Sequence, residues 1–78
     1  MSNLEKYNLA FTETLGIDES KLKDLTYGEI VEWDSVGHMS LIAAIEDSFD
    51  IMMETDDIID LSSYEKGKEI LAKYGIEF

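Results

Sequence analysis

Few side chains in this sequence could do chemistry. The chain has one His and no Cys, so no multi-histidine metal site, thiolate zinc site, disulfide or thiol nucleophile can be assembled. His38 follows Ser35 by roughly one helical turn, and the pair could mimic a Ser–His dyad. Nothing in the sequence supplies an oxyanion hole or a substrate pocket for it, and His38 reads instead as a helix residue at the edge of the core. No Gly-rich phosphate loop is present. Glu54, Asp56, Asp57 and Asp60 lie close together and suggest weak, nonspecific divalent binding, but the EF-hand spacing and its central Gly are absent, so no dedicated metal site is expected. The informative segment is Glu32-Trp33-Asp34-Ser35-Val36-Gly37-His38-Met39, which delivers a Ser to the head of an amphipathic helix. A Ser or Asp there is most often an ordinary N-cap. Asp34 alone can fill that role, which turns the Ser35 hydroxyl outward. An outward hydroxyl at a positive helix end suits a phosphodiester, because the dipole and free N–H groups favour negative charge.

What must position that segment is a very small fold. The chain has 78 residues, 45% of them hydrophobic, enough for one domain spanning 1–78 and no second core. Eighteen acids against six bases give a formal net charge of -12. That charge argues against nucleic acid or anionic membrane as partners and favours partners with basic docking surfaces. The six bases are Lys6, Lys21, Lys23, Lys66, Lys68 and Lys73, and from Asp24 to Glu65 no Lys or Arg occurs. A charge run is usually a solvated surface, yet its self-repulsion opposes folding, which is easier to understand if partners with Lys and Arg dock there. The longest apolar run, Leu41 to Ile45, is far short of a membrane span. The N-terminus lacks the basic and apolar regions of a leader, so the sequence reads as cytoplasmic and without membrane insertion.

The hydrophobic spacing predicts an all-α fold: a small four-helix bundle of three main helices and a short third one. The first helix runs from about Asn3 to Leu15, with Leu4, Tyr7, Phe11 and Leu15 on one face, a Ser2–Glu5 capping box and Gly16 as its stop. A long connection from Ile17 to Trp33 is pinned to the core by Leu22, Leu25, Tyr27 and Ile30. The second helix runs from about Ser35 to Phe49. Leu41, Ile45 and Phe49 form its core stripe, flanked by His38 and Ile42. Val36, Met39 and Ala43 form a second apolar row beside Ser35, either an exposed patch or part of a helix buried on most sides. The third helix is expected over Asp56 to Leu61 with Thr55 as N-cap, and the last over about Ser63 to Tyr74 with a Ser62–Glu65 capping box. Gly67, costly inside a helix, is explained by close helix packing. The tail Ile76-Glu77-Phe78 folds back onto the domain.

In this setting Asp34-Ser35-Val36-Gly37 resembles the Asp-Ser-Leu attachment motif of acyl carrier proteins, the phosphopantetheine-bearing domains. The resemblance covers essentially the whole chain. It implies that Ser35 carries a 4'-phosphopantetheine arm, added from coenzyme A by a separate phosphopantetheinyl transferase with magnesium. Acyl groups would ride as thioesters on the terminal sulfur of the arm, in a fatty-acid-like, polyketide-like or other specialised pathway, and the chain itself would catalyse nothing. It further implies a monomer that meets its acyl-loading and acyl-transfer enzymes through Asp34, Glu46 and Asp47 and through the apolar row Val36, Met39 and Ala43. Three features depart from the family pattern: Val36 for the usual Leu, the uncharged Gly37, His38 and Ser40, and Trp33 where a small residue is common. The Trp-Asp-Ser-x-Gly-His-Met pattern looks more like freestanding carriers of specialised pathways. Ile45, Phe49, Ile59, Tyr64 and Leu71 would line a space for the cargo, and their aromatic bulk favours short or polar groups. The alternatives are an aminoacyl or peptidyl carrier, whose family members usually show Gly-Gly before the Ser region and are less acidic, and an unmodified acidic helical adaptor.

Overall fold

The first local signal is fully realised. In a computed structural model describing residues 1–78, helix α1 spans Asn3–Leu15. The Ser2 hydroxyl accepts from the Glu5 N–H and the Glu5 carboxylate accepts from the Ser2 N–H, so two orphan donors are satisfied reciprocally. Gly16 closes the helix in the left-handed region at φ 67°. Tyr7, Ala10, Phe11 and Leu15 are buried, whereas Leu4 is exposed and lies outside the core face expected of it.

Helix α2 spans Ser35–Phe49, α3 Thr55–Asp60 and α4 Tyr64–Ala72. No strand forms, and one isolated bridge joins Thr26 to Ser63. No helix is long and apolar enough to cross a membrane. The molecule is therefore a small all-helical domain, with α1 and α2 packed most closely together. Two helix starts differ from the spacing-based expectation by one residue. Helix α3 begins at Thr55 rather than Asp56, and its cap, Glu54, makes no side-chain cap bond. Helix α4 is capped by Ser63, whose hydroxyl accepts from Lys66 N–H. Ser62 is used differently: its carbonyl accepts from Tyr27 N–H at 2.8 Å, and the Leu25 carbonyl accepts from Tyr64 N–H at 2.9 Å. Those two bonds tie the long connection to the head of α4.

The connection holds one 3-10 turn, Glu19–Lys21. Leu22 and Leu25 sink into the core, Ile30 is half-buried, and Tyr27 stays exposed. Trp33 goes deepest. It is fully buried and meets Phe11 edge-on at 5.5 Å. Around it Tyr7, Phe11 and Tyr64 form a mutually tilted aromatic cluster. Such rings each bury a large area, and they share the core with twelve aliphatic or Met side chains. The tail folds back as expected: Ile76 is buried, and the Phe78 ring lies 5.1 Å from Tyr7.

Helix α2 ends at Asp50, which takes the left-handed conformation at φ 53°, and its N–H bonds to the Glu46 carbonyl. A non-Gly residue is disfavoured there. Asp50→Gly should therefore stabilise the domain by about 0.5–1 kcal/mol, read as a rise in the urea midpoint at unchanged slope. No gain would show that the Asp50 side chain holds the turn.

Candidate functional site

The head of α2 is built by the residues just before it. Gly28, at φ 80°, donates its N–H to the Trp33 carbonyl at 3.0 Å, closing the segment 28–33 on itself. The buried Trp33 ring anchors the end of that segment. Asp34 then caps the helix: its Oδ1 accepts from Gly37 N–H at 2.8 Å, and its carbonyl accepts from His38 N–H at 2.7 Å. Ser35 is the first residue of the helix and is exposed. Because Asp34 makes the cap, the Ser35 hydroxyl is not needed for it. It stands at the positive end of the helix, where first-turn N–H groups have no intrahelical partner.

Gly37 matters in a way its type alone did not announce. A Cβ at this position would collide with the Glu32 carbonyl oxygen and lie 3.1 Å from the carbon behind it. The loop thus lies directly on the first turn of α2, and only a residue without a side chain allows that approach.

The two apolar rows of α2 separate cleanly. His38, Leu41, Ile42 and Ile45 are buried, and Phe49 is partly so. Val36, Met39 and Ala43 are exposed on the other row, so α2 is not buried on most sides. Val31, 88% exposed, is a further outward apolar group that the sequence reading did not single out, and Ile59, expected along a cargo space, is 70% exposed. Of the acids, Asp34 and Asp47 are exposed, but Glu46 is half-buried and its Oε2 accepts from Met53 N–H at 2.9 Å. Glu46 thus ties the turn after α2 to the helix through one of its two carboxylate oxygens.

A groove of about 350 Å³ opens beside Ser35. Ser35, His38 and Met39 line it from α2, Ile58 and Ile59 from α3, and Tyr27 from the connection. Its lining differs from that expected of a cargo space. Of Ile45, Phe49, Ile59, Tyr64 and Leu71, only Ile59 reaches it. Ile45 and Leu71 are fully enclosed, and Tyr64 is packed against Tyr7 and Phe11.

The carboxylates between Glu46 and Asp60 do not converge: no group of three or more acidic, His or Cys side chains is placed to hold a metal ion. The expected clustering for divalent ions is therefore not built. Asp57 is instead occupied by Lys73, at 2.5 Å, and by the Tyr74 hydroxyl, at 2.6 Å. The Tyr74 oxygen accepts in turn from Glu54 N–H. The Lys73 ammonium first, then the Tyr74 hydroxyl, hold the Asp57 carboxyl below its ordinary value. The stability this tie contributes is present above the unfolded carboxylate range and is lost as pH falls from there through the lowered value of the folded state. It pins α3 to the end of α4 and so fixes one wall of the groove.

The residues that sequence reading underrated are Trp33 and His38. Trp33 Nε1–H donates to His38 Nδ1 at 3.0 Å, and His38 Nε2 lies 2.7 Å from the Ile58 carbonyl oxygen. The one signal available was a large aromatic residue just before the exposed Ser and a His on the buried side of the following turn. Comparison with protein-family models, curated proteins and solved structures found no match.

Proposed function

We propose that this chain is an acyl carrier, holding acyl groups as thioesters on a 4'-phosphopantetheine arm attached to Ser35. The observation that carries this reading is the placement of one exposed hydroxyl. Ser35 opens α2 directly after a separate cap residue, above an apolar groove and beside an exposed apolar row. A phosphodiester formed there would meet the positive end of the helix and its free first-turn N–H groups. The prosthetic group would supply the thiol that a chain without Cys lacks. Within the chain, Asp34 fixes the first turn, Gly37 lets the loop close on it, and Trp33 anchors the loop.

The same surface suits visiting enzymes. Val36 and Met39 present apolar contact next to the attachment point, and Asp34 and Asp47 add negative charge for basic surfaces. In this reading the cargo is a short acyl group lodged in the groove, delivered and removed by other proteins in the cytoplasm. An unmodified adaptor would use that surface without Ser35. The test is intact mass: incubation with coenzyme A, magnesium and a broad-specificity phosphopantetheinyl transferase should add one phosphopantetheinyl group, and an unchanged mass would leave the adaptor as the better reading.

Docking is tested separately. Met39→Glu should slow loading by a cognate enzyme about tenfold or more, because a carboxylate would enter an apolar contact without a partner. Asp47→Lys should mainly slow association and flatten its salt dependence. Glu46 is left intact in that experiment, since reversing it would also remove the Met53 bond. If Met39→Glu loads normally but melts much earlier by circular dichroism, Met39 serves the core rather than docking.

A further inference from the structure

The geometry points to His38 as a positioning residue that straps the attachment loop to α3 through a neutral ring, a strap that one proton undoes. The indole N–H is only a donor. The 3.0 Å bond from Trp33 Nε1 therefore requires a lone pair on His38 Nδ1. The single ring proton must then sit on Nε2, where it donates to the Ile58 carbonyl at 2.7 Å. Both bonds are shielded: Trp33 is fully buried and His38 is 9% exposed. One imidazole thus joins three parts of the site, namely the loop before Ser35, the first turns of α2 and the short helix that walls the groove.

A second proton would turn Nδ1 into a donor facing another donor. The Trp33 N–H would lose its acceptor in a buried place, and the ring would have to rotate or leave. Nothing packed against the ring is placed to compensate an imidazolium. From the connection, Tyr27 meets it edge-on at 5.4 Å and the Trp33 ring lies alongside at 6.2 Å. From α3 the Ile58 carbonyl faces it, while the neighbouring Asp57 is turned to Lys73 and Tyr74. At the head of α2 the Asp34 carboxylate is bonded to Gly37. Once the ring turns from Trp33, the loop before Ser35 is no longer held through His38 to Ile58, one of the residues that line the groove. Its meaning for cargo rests on the carrier reading; the strap itself does not.

The chain has one His and one Trp, so each gives a single unambiguous signal in the unmodified protein. NMR of the His38 ring C–H and the Trp33 Nε1–H, with Trp fluorescence, should be followed as the pH is lowered stepwise from neutrality while the fold persists. The indole resonance and the emission should change with the same midpoint as the ring. Over that range the wild-type Tm should fall by about 4–8 °C more than that of His38→Gln. Changes in general charge repulsion are common to both proteins and drop out of the difference. Trp33→Phe, which lacks the donor, should lose that excess fall, and it decides the matter if His38→Gln does not fold. A ring that titrates while the indole stays silent would overturn the proposal. So would parallel Tm losses in wild type and His38→Gln, or a ring that stays neutral until the chain unfolds. These readouts need no prosthetic group, so their failure falls on His38 and not on the carrier assignment, which the mass experiment decides.

Discussion

Ser35→Ala should abolish phosphopantetheinyl addition outright while leaving helix content intact and stability within about 0.5 kcal/mol of wild type. The two halves of that expectation come from different atoms. Addition forms a bond from the hydroxyl oxygen to the pantetheine-side phosphorus of coenzyme A while the pyrophosphate bond breaks. Adenosine 3',5'-bisphosphate leaves and the hydroxyl proton is released. Ala has no such oxygen. Stability at the head of α2 depends on the Asp34 carboxylate, which satisfies the Gly37 N–H, and Ala at the first helical position keeps that bond. Asp34→Ala is the converse control: it removes the cap and should cost about 1 kcal/mol of stability. Intact mass after incubation with a broad-specificity transferase, coenzyme A and magnesium reads the first half, and circular dichroism melts read the second. A Ser35→Ala protein that still gains one phosphopantetheinyl group would sink the assignment of this hydroxyl. A Ser35→Ala protein that melts like Asp34→Ala would mean that the hydroxyl serves the fold.

What the sequence made legible follows the range of the interactions concerned. The ends of α1 and the span of α2 rest on contacts three or four residues apart, such as Ser2 with Glu5 and the stripe Leu41 to Ile45. Those contacts are encoded by neighbouring residue types. The choice between Ser62 and Ser63 as cap is not local. It is decided by Tyr27, which takes the Ser62 carbonyl from across the molecule. The strap from Trp33 through His38 to Ile58 joins residues 5 and 20 apart, beyond any periodic pattern. The groove beside Ser35 was not legible for a related reason. Spacing identifies which residues are apolar on a face, but not where two packed elements leave a gap. Ile45 and Leu71 meet partners and close, whereas the short α3 leaves room where it passes Ser35 and Met39. The exposed hydroxyl of Ser35 was legible only as one of two outcomes, because Asp34 and Ser35 are equally good cap types; the structure gives the cap to Asp34.

Gly67, like Gly37, leaves no room for a Cβ, and Gly67→Ala is the second change expected to have a large effect. In an ordinary helix interior, replacing Gly by Ala gains about 1 kcal/mol. Here the added Cβ would collide with the Tyr7 hydroxyl oxygen and press on Tyr7 Cζ at 3.2 Å and Leu61 Cγ at 3.3 Å. Tyr7 is fully buried and cannot swing aside. Its hydroxyl donates to the Tyr64 carbonyl at 2.6 Å, joining α1 to the first turn of α4. Overpacking of this kind costs about 1–3 kcal/mol, and losing a buried donor's partner costs about as much again. After the helix-propensity gain, the net loss should be about 2–4 kcal/mol, a fall in Tm of roughly 10 °C or more for a domain of this size. A double-mutant cycle with Tyr7→Phe separates the causes. Phe lacks the oxygen that the Cβ meets first, so Gly67→Ala should cost about 1 kcal/mol less in the Tyr7→Phe background. The contacts with Leu61 and the ring remain, so the relief should be partial. If Gly67→Ala stabilises the wild-type chain, or costs the same in both backgrounds, the close approach of α1 to α4 at this residue is not what holds Gly67 in place.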